Sequence, residues 1–215
     1  MHRCAVACVI TATLLASPAM AASAACKEQV AAAFMKQRSA PAFSMVAQVK
    51  GDNGLVELTV DYVPPDRMRQ TINSAGQPAP LETVLVGQRA WSRQGGQWEE
   101  LLPALVQSIV AQVREAVIDP PKDVGEFECL DKASVDGKEY LAYRSVEKPG
   151  APAKASLADG PVHRTVYVDP ATGLPAINVV AEDKPGAVPY FRGTYTYPTD
   201  LVIEGHEGAP LLNMR

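Results

Sequence analysis

The spacing of apolar residues changes period twice along this chain, and that change limits the fold more than any other feature. In "FSMVAQVKGDNGLVELTVDYV", Phe43, Met45, Ala47 and Val49 alternate with more polar neighbours. After "DNG" turns the chain, Val56, Leu58, Val60 and Tyr62 alternate with Glu57, Thr59 and Asp61. Period two on both sides of a tight turn reads as an antiparallel hairpin with one dry face. From Glu100 to Val117 the period becomes helical: Leu101, Leu102, Leu105, Val106, Ile109, Val110, Val113 and Val117 fall on one stripe, with Gln107, Gln112, Arg114 and Glu115 off it. Pro103 is tolerated only in a first turn, so the helix starts near it. Glu99 and Glu100 read as its acidic opening, where the helix dipole favours them.

Around these two blocks the pattern is strand-like. "PPDRMRQTIN" enters a strand through a proline break, and "ETVLVG" and "RAWSRQ" precede a Gly-Gly turn into "QWEEL". Beyond "DPPKD", the segments "EFECL", "KEYLAYRSV", "HRTVYVD", "LPAINVVAE", "YFRGTYTY" and "LVIE" are strands separated by Gly, Pro and Asp signals. "KPGAPAKASLADGP" is too rich in Ala, Pro and Gly to pack, and reads as a long exposed hairpin loop. "CKEQVAAAFMKQRSA" places Val30 with Phe34 and Ala31 with Met35 at helical spacing before Pro41, so a short amphipathic helix opens the domain. There is no internal repeat and no domain linker.

The expected fold class is α+β: a strongly curved antiparallel sheet, an unclosed β-barrel, with helices covering the concave face. About ten strands must coil, split or close, and a coil has an inside for which the 101–117 helix is the natural plug.

The first residues, "MHRCAVACVITATLLASPAMA", combine a short basic start, an apolar run from Cys4 to Leu15 and Ala-x-Ala endings. This pattern reads as a secretory signal peptide over residues 1–24, leaving one domain over 25–215 that is exported to the periplasm. Without Cys4 and Cys8, the cysteines are Cys26 and Cys129, expected to pair in an oxidising compartment. Such a bridge adds on the order of 4 kcal/mol by the chain-entropy model. Two buried thiols are the alternative. Lipid modification of Cys26 is a further reading, although Ser23 stands where a lipobox has a Leu-like residue.

A net charge of −4 with no basic run excludes a nucleic-acid surface. Catalysis needs convergent polar groups, and outside the leader there are only His163 and His206. The chain has no G-x-S-x-G elbow, no H-E-x-x-H and no phosphate-binding glycine loop, so neither an enzyme, a metal site nor a cofactor is expected. Arg67 and Arg69 share a strand face opposite Met68; solvent exposure is the default reading, contact with a ligand headgroup the alternative.

Four stretches carry a family resemblance: "VPPDRMRQTI", "TVLVGQRAWSRQGGQWEEL" with its trailing helix, "DPATGLPAINVV" and "TYTYPTDLVIE". In this order the chain resembles periplasmic lipoprotein carriers of the LolA type, with the related LolB, RseB and mycobacterial glycolipid carriers. The resemblance implies an unclosed barrel around a hydrophobic cavity that takes up acyl chains, in carriers, receptors or sensors that are not enzymes. Burial contributes about 0.8 kcal/mol per methylene, so the cavity needs apolar lining and few polar groups. Trp91, Trp98, Leu105, Ile109 and Val113 are the ligand-lining candidates, Trp91 and Trp98 having core filling as the alternative. The expected partner is a lipid or lipoprotein acyl chain bound by a monomer. The competing function is a ligand-free envelope interaction or sensor module with a packed sheet core, its partner another envelope protein.

Overall fold

The structure, a computed structural model, describes residues 18–51, 54–121, 124–146 and 161–212. The elements in chain order are α1 (Pro18–Arg38), β1 (Phe43–Gly51), β2 (Gly54–Val63), β3 (Arg67–Ser74), β4 (Leu81–Val86), β5 (Arg89–Gln94), β6 (Glu99–Glu100), α2 (Pro103–Val117), β7 (Phe127–Cys129), β8 (Ala133–Val135), β9 (Lys138–Ser145), β10 (Val162–Val168), β11 (Pro175–Glu182) and β12 (Phe191–Thr196). One antiparallel sheet has the order β6-β5-β4-β3-β2-β1-β12-β11-β10-β9-β7, with β8 beside β9. The β1–β12 pairing joins the two halves of the chain, Ala47 standing opposite Gly193. Gly193 has no space for a side chain: a Cβ would lie 2.9 Å from the ring of Phe191 and 3.3 Å from the Met45 sulfur.

Both helices lie on the same face of this sheet. The register runs Tyr143, Val166, Asn178, Gly193, Ala47, Leu58 across six strands, so these residues share a face. At one end α1 buries Cys26, Val30, Ala33 and Phe34 against Phe127, Tyr143, Val166 and Val168. At the other end α2 buries Val106, Val113 and Val117 against Phe43, Val60, Tyr62, Met68, Leu85 and Ala90. Pro103 is the first residue of α2, with the extended Leu102 as its N-cap, as its missing N–H dictates. Arg38 fastens the two helices together at their ends, donating to the carbonyls of Phe34 (3.1 Å), Glu115 (3.1 Å) and Asp119 (2.9 Å). Cys26 and Cys129 form a disulfide, S–S 2.06 Å, that ties α1 to β7. The peptide between Pro64 and Pro65 is cis.

The curvature expected of the sheet is corrected. The sheet is not strongly curled and it is not a barrel: its path is open, and the end strands β6 and β7 do not pair with each other. A long sheet that neither coils into a closed form nor splits must flatten. Here both faces carry packed material, helices on one and the C-terminal residues 201–212 on part of the other, so there is no single inside to wrap around.

Three local readings also change. Glu99 and Glu100 are not the first turn of α2 but a two-residue edge strand opposite Ser92 and Trp91. "LVIE" (201–204) forms no strand and pairs with no strand of the sheet. In α1, Met35 is exposed, and the buried stripe runs through Val30, Ala33 and Phe34. The expected loop over 148–161 falls almost wholly outside the described residues, as does the leader up to residue 17.

Replacing both Cys26 and Cys129 with Ser removes a link across a sequence separation of 103. We expect a loss of about 2–5 kcal/mol in urea unfolding, with an unchanged circular dichroism spectrum in the absence of denaturant.

Candidate functional site

The face of the sheet turned away from the helices carries the site. In β4 and β5 the pairs Leu85–Ala90 and Val84–Trp91 are adjacent rungs of one ladder, so they point to opposite faces. Leu85 and Ala90 meet α2; Val84 and Trp91 meet the C-terminal segment, where they form a small core with Ile203, and Val63, Val86, Trp98 and Ala209 pack around it.

Residues 201–212 form a strap over this corner. Arg67 donates to the Ile203 carbonyl at 2.6 Å. At its far end the strap meets β6: the Glu100 N–H bonds to the Pro210 carbonyl and the Leu212 N–H to the Glu100 carbonyl, both at 2.8 Å. Between these anchors, the side-chain contacts are aromatic rings and the ion pair of Glu207 with Arg89. Gly205 lies directly on Trp91, since a Cβ there would stand 2.6 Å from the indole Cη2. His206 stacks on Trp98 with ring centroids 3.8 Å apart and planes 14° apart, and meets Trp91 edge-on at 6.3 Å. Trp91 is only 1% exposed and its Nε1–H has no hydrogen-bond partner among the described residues, a donor whose desolvation costs about 1–3 kcal/mol.

Arginines flank the aromatic rings. The Arg89 guanidinium sits over Trp91 at 4.9 Å and that of Arg93 over Trp98 at 4.6 Å. His206 and Arg93 thus both pack on the Trp98 ring. Each cation is also paired with acid. Arg89 forks onto both Glu100 oxygens at 2.8 Å and bonds Glu207, Arg93 bonds Glu82, and Arg69 bonds Asp61 at 2.7 and 3.0 Å. The hydrogen bonds to Glu100 and Glu207 raise the Arg89 pKa, and the same bond to Arg89 holds the Glu100 carboxyl below its usual range. His206 is held below the ordinary imidazole value by partial burial and then by Arg93, with Glu82 acting in the opposite sense.

Between the sheet and the strap lies an open cleft of about 660 Å³, lined by Arg69, Glu82, Val84, Arg93, Trp98, Val202, Ile203, Glu204 and His206. Its size is in the range of ligand sites, and its lining mixes apolar, aromatic and charged groups. Under the C-terminal half of α2 the space is far smaller, about 130 Å³, bounded by Leu85, Val110, Val113 and Ile118 with Asp66, Gln88 and Arg114 at its rim.

The five residues nominated from sequence fall in different places. Val113 is buried between α2 and the sheet and Ile109 packs against the same core, whereas Leu105 is 40% exposed. Trp91 and Trp98 belong to the core beneath the strap on the opposite face. Arg67 and Arg69, read as solvent-facing by default, hold the strap and Asp61. His163 is half-buried, its Nδ1 3.0 Å from the Ser145 carbonyl. Sequence reasoning finds no partner for His206. No local signal could have shown its stacking, because its partner Trp98 lies on a distant segment of the chain. Among the described residues, no group of three or more His, Cys, Asp or Glu could hold a metal ion, and no helix is long and apolar enough to cross a membrane.

No protein-family model matches the chain, and no curated protein matches it in sequence. Solved structures do. An uncharacterized conserved protein from Thermus thermophilus is 9% identical, with 86% of this chain and 98% of that chain covered, at a TM-score of 0.49. MucB in complex with MucA(peri) is 12% identical at a TM-score of 0.43; 89% of this chain is covered but only 62% of the MucB chain. A LolA superfamily protein from Nitrosomonas europaea is 11% identical, with 84% and 95% covered, at a TM-score of 0.30.

Gly205→Ala tests the fit of the strap. A methyl group 2.6 Å from a fully buried indole has nowhere to go, so we expect a loss of about 1–3 kcal/mol. Tryptophan emission should shift to the red as the strap lifts; an unchanged spectrum and midpoint would show that the strap does not lie on Trp91.

Proposed function

We propose that this chain is an exported protein of the periplasm that acts as an interaction module, without chemistry of its own, and receives a segment of another envelope protein in the cleft beneath its C-terminal strap. The observation that carries this reading is the distribution of space. The apolar face under α2 is filled by Val106, Val113 and Val117, and the pocket at the helix's C-terminal end holds about 130 Å³, whereas the cleft of about 660 Å³ lies on the opposite face among charged and aromatic side chains. An alkyl chain gains about 0.8 kcal/mol per methylene only where it displaces water from apolar surface. Arg69, Glu82, Arg93 and Glu204 would lose hydration to such a chain and regain nothing.

A polypeptide suits this lining better. Its backbone and polar side chains have donors and acceptors for the Arg and Glu rim, and its apolar side chains have the half-buried Trp98 and the exposed Val202 to rest on. Aromatic and Arg residues are the side chains that most often anchor protein interfaces. The resemblance to LolA-type proteins, in which receptors and sensors occur beside carriers, fits this reading, as does the leader pattern. Acyl-chain carriage, the other reading of the sequence, requires α2 to leave its place.

The test places a photocrosslinking residue in living cells at Val202, 67% exposed in the cleft, and at Val188, 65% exposed elsewhere. We expect a discrete adduct with one envelope protein from position 202 alone, weakened at least tenfold by Trp98→Ala. Solvent extracts of the natively purified protein should contain no stoichiometric lipid. A molar equivalent of lipid in those extracts, or no adduct from position 202, overturns the proposal.

A further inference from the structure

The strap meets the outermost strand of the sheet along its edge. β6 pairs with β5 on one side. On the other, the Glu100 N–H bonds to the Pro210 carbonyl and the Glu100 carbonyl accepts from the Leu212 N–H, a parallel bridge to Leu211. Backbone groups on an edge strand are a template for another extended chain, and residues 210–212 show that this edge takes one. We propose that the outer edge of β6 is a strand-addition site, and that the segment received in the cleft continues along it in place of residues 210–212, extending the sheet by one strand. This rests on the reading of the cleft as a polypeptide site and adds how that polypeptide is held.

The resident segment fits this edge incompletely. In a parallel ladder the bonds are evenly spaced and slanted, so the rung before the Glu100 pair would run from the N–H of residue 210 to the Trp98 carbonyl. Proline has no N–H, and among the described residues no backbone donor reaches that carbonyl. The Ala209 N–H is turned away as well, onto the His206 carbonyl at 3.2 Å. Side chains add little: Pro210 is exposed, Leu211 is 63% exposed, and of the three residues only Leu212 is half-buried. What joins residues 210–212 to β6 is therefore a pair of backbone bonds, each 2.8 Å long.

Trp98 joins this edge to the cleft. Its ring is part of the cleft lining, and its carbonyl is the rung that Pro210 leaves unfilled. A segment resting on the ring lies beside the start of β6, and any residue other than proline brings the N–H that residue 210 lacks. An incoming strand can thus make every main-chain bond of the resident and one more. Recognition by strand addition takes its affinity from such bonds and its specificity from pockets for alternate side chains, and the cleft beside Trp98 supplies the pocket.

The resident can be loosened or tightened in the full chain by one hydrogen bond at a time. Leu212→Pro removes the N–H that bonds Glu100, and Pro210→Ala supplies one for the Trp98 carbonyl. One net hydrogen bond changes an equilibrium by a factor of about two to ten. With the photocrosslinking residue at position 202 in living cells, we expect the yield of the envelope-protein adduct to rise by about that factor in Leu212→Pro and to fall by about as much in Pro210→Ala. Amide exchange of the purified proteins reads the edge itself. The Glu100 N–H should exchange several-fold faster in Leu212→Pro and more slowly in Pro210→Ala, while β1 and β2 keep the protection of the parent and show both variants to be folded. An adduct that forms in the parent but does not move in opposite directions in the two variants overturns this inference alone and leaves the cleft reading standing; no adduct in any of the chains overturns both. An adduct of this chain with a second copy of itself, or Glu100 exchange that neither substitution alters, also overturns the strand-addition site.

Discussion

Everything in this molecule depends on the burial of two helices against one face of a single sheet. The register that carries Tyr143 through Gly193 and Ala47 to Leu58 puts α1 and α2 on the same side. Arg38 then bonds carbonyls near the ends of both. A charged side chain in that position gives up hydration, and burial indeed lowers the Arg38 pKa against the pull of Asp119 and Glu115. Three carbonyl acceptors offset that cost, and the result ties the end of α1 to the end of α2.

Once that layer is fixed, the other face is left to the remainder of the chain. Tyr197, just past β12, has its hydroxyl held between Gln37 of α1 (3.2 Å) and the Pro175 carbonyl (2.6 Å). From that point the chain crosses to the opposite face, where Ile203 closes over Val84 and Trp91. The largest buried aromatic of the chain is thereby used to fix a segment with almost no sheet pairing of its own. Such a segment has side-chain energy to hold it and little backbone energy, which sets it toward the low end of local stability.

How much of this could be read from the sequence depends on the range of the interaction concerned. The β1–β2 hairpin, the helical stripe of α2 with Pro103 at its start, and the pairing of Cys26 with Cys129 follow from local periodicity or from cysteine arithmetic, and the structure shows each of them. Alternation also says that Ala90 and Trp91 point apart. It does not say which of them faces the helix, because both are small or apolar enough to be buried; the structure buries both, under different covers. Glu99 and Glu100 look like a helix opening because their strand is two residues long and its pairing is made with the distant Leu211 as well as with β5. Sheet curvature is likewise a property of how both faces are covered. Strand number alone does not contain it, because the strap that fills part of the second face pairs with almost nothing that periodicity can reveal.

The same division decides how a lipid would have to be accommodated. Full burial of a Val side chain contributes about 1.5–3 kcal/mol, so the three buried valines of α2 represent about 5–9 kcal/mol that lifting the helix would forfeit. At about 0.8 kcal/mol per methylene, roughly six to eleven methylenes would be needed merely to restore the balance, before any net affinity appeared. The cleft under the strap carries no such debt: it is already open, its arginines are already paired with Asp61 and Glu82, and an incoming segment needs only to match its rim. An interaction site on that face is therefore reached without disturbing the core on the other, and the two faces are free to serve stability and recognition separately.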